Sequence, residues 1–504
     1  MMMKKRVAFL ILACAILFSS CTSAELVGTE TEETAESAAS FTTSVSAEEA
    51  KTYDKTGFQA GWAREDITPT SSVPLGGYGN TSYRMSKTVQ ERLYATCIAL
   101  REGEKTVLLY TLDIIRCPES LYQMAAELIG RKTGVPADQI YLSCTHTHSG
   151  PDVSSVGEGA LDAWKAIFYR AVVKCGEEAI ADLDRTEVYA GSVKTENMTY
   201  VRRYILQDGT GLGANYGEST PENPIVSHES EADEMMQIVR FNRVNGKDIV
   251  LANFQSHPTA TGGSTRTELS ADFVAPFRRE VEKEGDVLCA YYSGALGNLV
   301  MSGRLEGEVK SSEVEYRVYG KKLAGVCLSA LPDLKKMETG PIHTTKTLCT
   351  GKVNHTTDSL APLCADIVSA WNSNDRELAS ALCKEKGISG YYAASSITNR
   401  VNMPETKDFT IYALSFGEIG IITCPYEMFC NSGMQVKEAS PFAMTLIFGA
   451  YTNGYQHYFP TELAWNYGGY EPDTSTYERG TAEQTVAHHL ENLNRLYTEA
   501  QGDK

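Results

Sequence analysis

Positive charge, long apolar runs, paired cysteines and histidine are all in short supply in this sequence, and each shortage closes off a class of function. Lysine and arginine number 46 against 64 aspartate and glutamate, a formal net charge of −18. A polyanion rewards the opposite sign, so nucleic acid is excluded as a partner. After residue 20 no apolar run is long enough to cross a membrane. Thirteen cysteines occur, none of them in a CxxC pair. Many sit singly in apolar stretches (Cys144, Cys289, Cys424), where the expectation is a buried free thiol acting as a small apolar side chain. A cysteine-based zinc knuckle is thereby excluded. Only nine histidines are spread over 504 residues, yet two of them, His146 and His148, stand two apart in CTHTHSGPD.

What is present begins with an address. Lys4, Lys5 and Arg6 precede an apolar run over residues 7–18 and the small pair Ser19 and Ser20, the layout of a secretory leader. Cys21 follows directly, which resembles the lipobox of bacterial lipoproteins. Residues 1–20 are therefore expected to be a lipoprotein-type signal peptide with Cys21 lipidated. The protein is expected to be exported, on the cell surface or in the periplasm, anchored to a membrane surface by that lipid; plain secretion is the alternative. Residues 21–56 are rich in Thr, Glu, Ser and Ala and hold almost no large apolar side chains. Such a segment cannot offset its ordering entropy and reads as a disordered acidic tether. Residues 57–504 then form one large domain.

Within that domain, strand-like and helix-like patterns alternate. Strands are expected at 106–115, 139–144, 249–254, 287–294 and 419–424, and helices at 119–134, 158–182, 272–283 and 313–331. TAEQ at 481–484 has the pattern of a capping box opening a last helix. Residues 343–400 are less regular and read as a peripheral insertion. The fold class is α/β, with mixed sheets flanked by helices.

In such folds the chemistry gathers where strands end. If the segment after Cys144 stays extended, alternation places His146 and His148 on one side of the chain, facing one pocket. They suit either metal binding with proton transfer or plain hydrogen bonding to backbone. The strand IVLANF ends in the same way, at QSHPT with His257. Glu427 follows a buried strand and Pro425, at the start of a helix, where it serves either chemistry or the helix dipole. The tyrosine-dense YTNGYQHYFPTE at 451–462 reads equally as packing or as site.

Taken together and in order, AGWAREDITPTSSVPLGGYG, RLYATCIAL, THTHSGP, SHPT, PYEMF, NGYQHYFPT and GGYE resemble the neutral, non-lysosomal ceramidase family, in its N-terminal catalytic domain. The resemblance spans residues 58 to about 497. It implies one Zn2+ held by His146, His257, Glu427 and Tyr458, with His148 as a general acid or base. It also implies Arg202, in YVRRY, near a small-molecule N-acyl lipid substrate, with Arg203 as the alternative register. Tyr458 or Arg202 would help to stabilise the developing oxyanion. Two departures accompany the likeness. Val300 stands where the family carries a serine, which implies slow ceramide turnover or a different head group. The C-terminal immunoglobulin-like domain of full-length relatives is not expected here. The implied activity is zinc-dependent hydrolysis of amide bonds; another ester or N-acyl substrate, or a non-catalytic surface lipoprotein on the same scaffold, are the alternatives.

Overall fold

Runs such as TVLLYTL and IVLANF are apolar on both faces, and strands of that kind belong inside a sheet covered on both sides. The computed structural model, which describes residues 56–78, 84–153, 159–214, 216–263 and 265–502, places both in one nine-stranded mixed sheet. Its order is Leu288–Ser293, Ile249–Phe254, Met235–Arg243, Asp184–Lys194, Gln59–Asp66, Tyr94–Glu102, Lys105–Leu112, Ile140–Cys144, with Lys335–Met337 paired to Asp184–Lys194. The pair at each end of that order is parallel. The two ends also meet: the Thr111 hydroxyl donates to the Tyr291 carbonyl at 2.6 Å, and the Ser293 hydroxyl to the Thr145 carbonyl at 2.9 Å.

A second sheet, Ile342–Lys352, Thr406–Phe416, Ile419–Thr423 and Met444–Phe448, ends in a parallel pair too. It packs on the first through Ile98, Leu109, Leu251, Leu414, Ile421 and Leu446, all fully buried. Buried Asn253 ties the layers together. Its amide donates to the Ile447 carbonyl at 2.9 Å, and its oxygen accepts from the Ile447 N–H at 3.0 Å. Helices cover the outer faces. Glu119–Thr133 and Ala160–Ala181 bury Ile129 and Phe168 against Cys97 and Leu108; Val274–Gly285 and Tyr316–Ala330 pack around Phe277 and Leu323; Thr481–Gly502 lies on the second sheet through Leu493 and Leu496. The result is the expected α/β class. The cysteines of the described residues are all buried and free. Asp54–Lys504 form one unit by contact. The leader, Cys21 and the tether up to residue 55 lie outside the described residues.

Several local expectations need correction. The peripheral insertion expected at 343–400 does not begin there: Ile342–Lys352 is a strand paired along its whole length with Thr406–Phe416. The rest of that segment forms three helices, Ala361–Asn372, Arg376–Lys386 and Tyr391–Arg400, with their own small core of Cys364, Ile367, Ala393 and Ile397. Glu427 does not open a helix. It sits in the two-residue strand Glu427–Met428, paired in parallel with Tyr458–Phe459, and the helix starts at Cys430. The capping box at 481–484 does not form either. The Thr481 hydroxyl donates to the Glu478 carbonyl, and the Gln484 N–H bonds to Gly480.

Candidate metal centre

Four buried strands deliver the site. Ile140–Cys144 leads to His146, Ile249–Phe254 to His257, Ile419–Thr423 to Glu427, and Met444–Phe448 to Tyr451. Each is the carboxyl end of a strand in a parallel pair, so the loops leave the two sheets on a common side. The sheets approach closely there: a Cβ on Gly449 would lie 2.3 Å from the Gly294 carbonyl oxygen. Only glycine tolerates that spacing.

The chain is not extended at His146. Its φ is +64°, a left-handed conformation that costs a non-glycine residue about 1–3 kcal/mol. Two bonds offset that cost. The His146 N–H donates to the Ile114 carbonyl at 3.2 Å, and ring Nδ1 lies 2.7 Å from the Ile115 carbonyl. A carbonyl only accepts, so Nδ1 carries the proton and Nε2 keeps a bare lone pair. His257 is fixed the same way, its Nδ1 2.8 Å from the Leu299 carbonyl. Both Nε2 atoms face one carboxylate oxygen, Glu427 Oε2, at 3.6 Å from His146 and 3.0 Å from His257.

Electrostatics sharpen this arrangement. Burial, with repulsion from His257, pushes the His146 imidazole down to about 4 despite attraction to Glu427, so it is neutral at pH 7. Burial works to raise the Glu427 carboxyl, but His146, the bond to His257 and the Tyr451 hydroxyl outweigh it and hold it well below the usual carboxylate range. The ionised oxygen and the two Nε2 atoms attract only with a cation between them, a proton on His257 Nε2 at 3.0 Å or a metal ion in its place. Imidazoles tied through Nδ1 to carbonyls, with a carboxylate beside them, form a donor set that fits a divalent ion such as zinc. Among the described residues, the ring nitrogens of His146, His148 and His257 also lie within 4.8 Å of one another.

The cavity lined by His146, His148 and Glu427 is about 40 Å³, room for a small ion and a water. Tyr451, Tyr455, His457, Tyr458, Tyr470 and Arg116 complete its wall, with Tyr392 and Ser396 from the third helix of the insertion.

No family model matches the chain. Among solved structures, neutral ceramidase from Pseudomonas aeruginosa superposes with a TM-score of 0.62 at 15% identity, covering 87% of this chain and 74% of that one. A ceramidase complexed with C2 gives a TM-score of 0.62 at 14% identity, covering 87% and 75%. The chain has the neutral ceramidase fold. At these identities the likeness is one of fold, and it agrees with the resemblance read from the motifs.

On this ceramidase fold the residues singled out from sequence come together. Tyr458 stands opposite Glu427 in register, and its hydroxyl accepts from Arg202 Nη2 at 3.1 Å. Arg202 is held by Glu471 at 2.8 Å and by the Gly297 carbonyl at 3.1 Å. Arg203 turns elsewhere, into a buried cluster with Glu229 and Glu471, which separates the two registers. His148 Nε2 lies 3.3 Å from His146 Nε2. Its Nδ1 has no hydrogen-bond partner among the described residues and sits over Gly77, where a Cβ would come within 2.2 Å. Val300 is half-buried, pairs with Tyr200 and does not line the cavity. What its strand contributes is the neighbouring Leu299 carbonyl that orients His257. Sequence reasoning missed Tyr451, whose hydroxyl donates to Glu427 Oε1 at 2.5 Å, and also Arg116 and His457. The tyrosine-dense stretch was the available signal for Tyr451; nothing in DIIRC marked Arg116.

Proposed function

We propose that the protein is an exported, zinc-dependent hydrolase of N-acyl amide bonds, of ceramidase type, acting on small-molecule lipids near the membrane surface to which its leader anchors it. The observation that carries this reading is the convergence of His146 Nε2 and His257 Nε2, each ring tied through Nδ1 to a backbone carbonyl, on one oxygen of an ionised Glu427. His146, His257 and Glu427, with Tyr458 beside them, would hold the ion. When bound there, zinc supplies a Lewis acid and an acidified water. The chain's own residues supply the rest. Arg202 aims the Tyr458 hydroxyl, a donor placed for negative charge developing on the acyl oxygen. Burial and the neighbouring histidines hold His148 well below its ordinary range, so it rests neutral, able to take a proton and pass it to the departing amine. Burial and Glu427 push the Tyr458 phenol up, so it stays a donor at neutral pH.

The test is metal analysis of the purified protein together with a panel of N-acyl lipids and esters. One zinc per chain and metal-dependent amide cleavage support the proposal. Ester cleavage alone would move the substrate class. Zinc binding without turnover of any member would favour a non-catalytic lipoprotein, the reading that Val300 at the family's serine position supports.

A further inference from the structure

His148 differs from the two histidines beside it in how its ring is held. His146 and His257 are each oriented by a bond from Nδ1 to a backbone carbonyl. His148 Nδ1 has no hydrogen-bond partner among the described residues. A group that passes a proton must stay within hydrogen-bond reach of the atom that receives it. Its rotamer therefore has to be locked, by a bond or by packing. For His148 only packing is left.

That packing comes from one turn. Gly77, at a φ of +99°, lies against the ring, where a Cβ would come within 2.2 Å of Nδ1 and 2.6 Å of Cγ. Tyr78 meets the ring edge-on, with the centroids 5.2 Å apart. The Tyr78 hydroxyl donates to the Thr259 carbonyl at 3.3 Å. What fixes the turn is Arg84, only 1% exposed. Its guanidinium donates to three backbone carbonyls: from Nη1 to Gly76 at 2.7 Å, from Nη2 to His148 at 3.1 Å and from Nε to Arg266 at 3.2 Å. The same group lies over the Tyr78 ring at 5.0 Å. One side chain thus holds the residue before Gly77, covers the residue after it and anchors the backbone of His148 itself. The His148 N–H is held from the other side by the Pro258 carbonyl at 3.2 Å. A full charge is costly to bury unless its donors are used. The planar fork of arginine can serve three acceptors in fixed directions, which a lysine ammonium cannot.

We infer that Arg84 is the positioning residue of the proton-transfer step, fixing, through the Gly76–Tyr78 turn and the His148 carbonyl, the rotamer in which His148 Nε2 stands 3.3 Å from His146 Nε2. The inference rests on the hydrolase reading above, in which His148 carries the proton. Arg84 does not line the cavity, so it acts on the reaction through His148 and not by touching substrate.

The test is a double-mutant cycle on the full-length, zinc-loaded protein, Arg84→Met against His148→Ala, with N-dodecanoylsphingosine in detergent micelles as substrate. Methionine keeps the length of the side chain and donates nothing. Arg84→Met is expected to keep its zinc and to lower kcat about 10- to 100-fold, a part of the about 10²–10⁴ that a positioned proton donor is worth. KM should stay within about twofold, because the lost interaction belongs to the transition state. In the His148→Ala background the same substitution should change kcat by less than about twofold, since residues that act as a unit are not additive. Arg84→Lys should recover only part of the loss. An equal fall in kcat in both backgrounds, the mark of a general loosening of the fold, overturns the inference. So does loss of zinc from Arg84→Met. If melting shows that Arg84→Met does not fold, Tyr78→Leu, at a half-buried position, takes its place in the cycle with the same expected and overturning results. If the wild type cleaves no amide, the hydrolase reading falls by itself and crystal structures decide the positioning role. His148 in one rotamer in the wild type and spread over several in the variant keeps Arg84 as the residue that orients it; one unchanged rotamer in both overturns it.

Discussion

Tyr451→Phe removes one oxygen and leaves the rest of the ring in place against His146 and Tyr455, whose centroids lie 5.4 and 4.7 Å away. The lost contact is the 2.5 Å bond to Glu427 Oε1. A hydrogen bond to a charged group is worth about 1.5–3 kcal/mol, or about 10- to 150-fold in an equilibrium constant. Outer partners of metal ligands typically account for about 10- to 100-fold in affinity. Without the hydroxyl the carboxyl of Glu427 rises toward its ordinary range and its oxygen loses the anchor that orients it. Zinc Kd should therefore rise about 10- to 100-fold. The assay is competition with a chromophoric chelator at fixed pH. Melting of the metal-free variant should stay within a few degrees of wild type, since the packing is kept. A Kd within twofold of wild type would refute the role assigned to Tyr451.

Four further outcomes follow from the same geometry. His146→Ala should lose stoichiometric zinc, read by metal analysis after gel filtration. His148→Ala should keep zinc while kcat falls by about 10²–10⁴, the worth of a positioned proton donor; loss of the metal instead would make His148 a ligand, in line with its place in the three-histidine cluster. Gly77→Ala puts a Cβ 2.2 Å from His148 Nδ1 at a φ of +99° and should lower both kcat and melting temperature. Asn253→Leu strands the Ile447 N–H and two carbonyls, Ile447 and Tyr292, and should destabilise the fold by about 2–5 kcal/mol in denaturant titration, with the site residues untouched.

Much of this was legible because buried strands announce themselves: IVLANF occupies the expected positions, Ile249–Phe254. Where burial is one-sided the signal thins. Ile342–Lys352 is largely Thr and Lys, with Lys346, Thr350 and Lys352 exposed, so it lacks the apolar run that marks a strand. In the helix Glu119–Thr133 the buried stripe takes in Tyr122 and Ala126, while the apolar Met124 is 45% exposed. Strand ends predicted the loops that carry His146, His257 and Glu427. They did not predict the left-handed turn at His146, which depends on carbonyls supplied by residues 114 and 115 of another strand's end. Tyr451 and Arg116 act through partners distant in sequence, and no local pattern encodes such a contact.

The most direct measurement is anomalous diffraction at the zinc edge from crystals of the full-length protein grown without chelator. One strong peak is expected about 2.0–2.2 Å from His146 Nε2, His257 Nε2 and a Glu427 carboxylate oxygen. No peak at that point from zinc-replete crystals, or a peak only elsewhere, would contradict the zinc site.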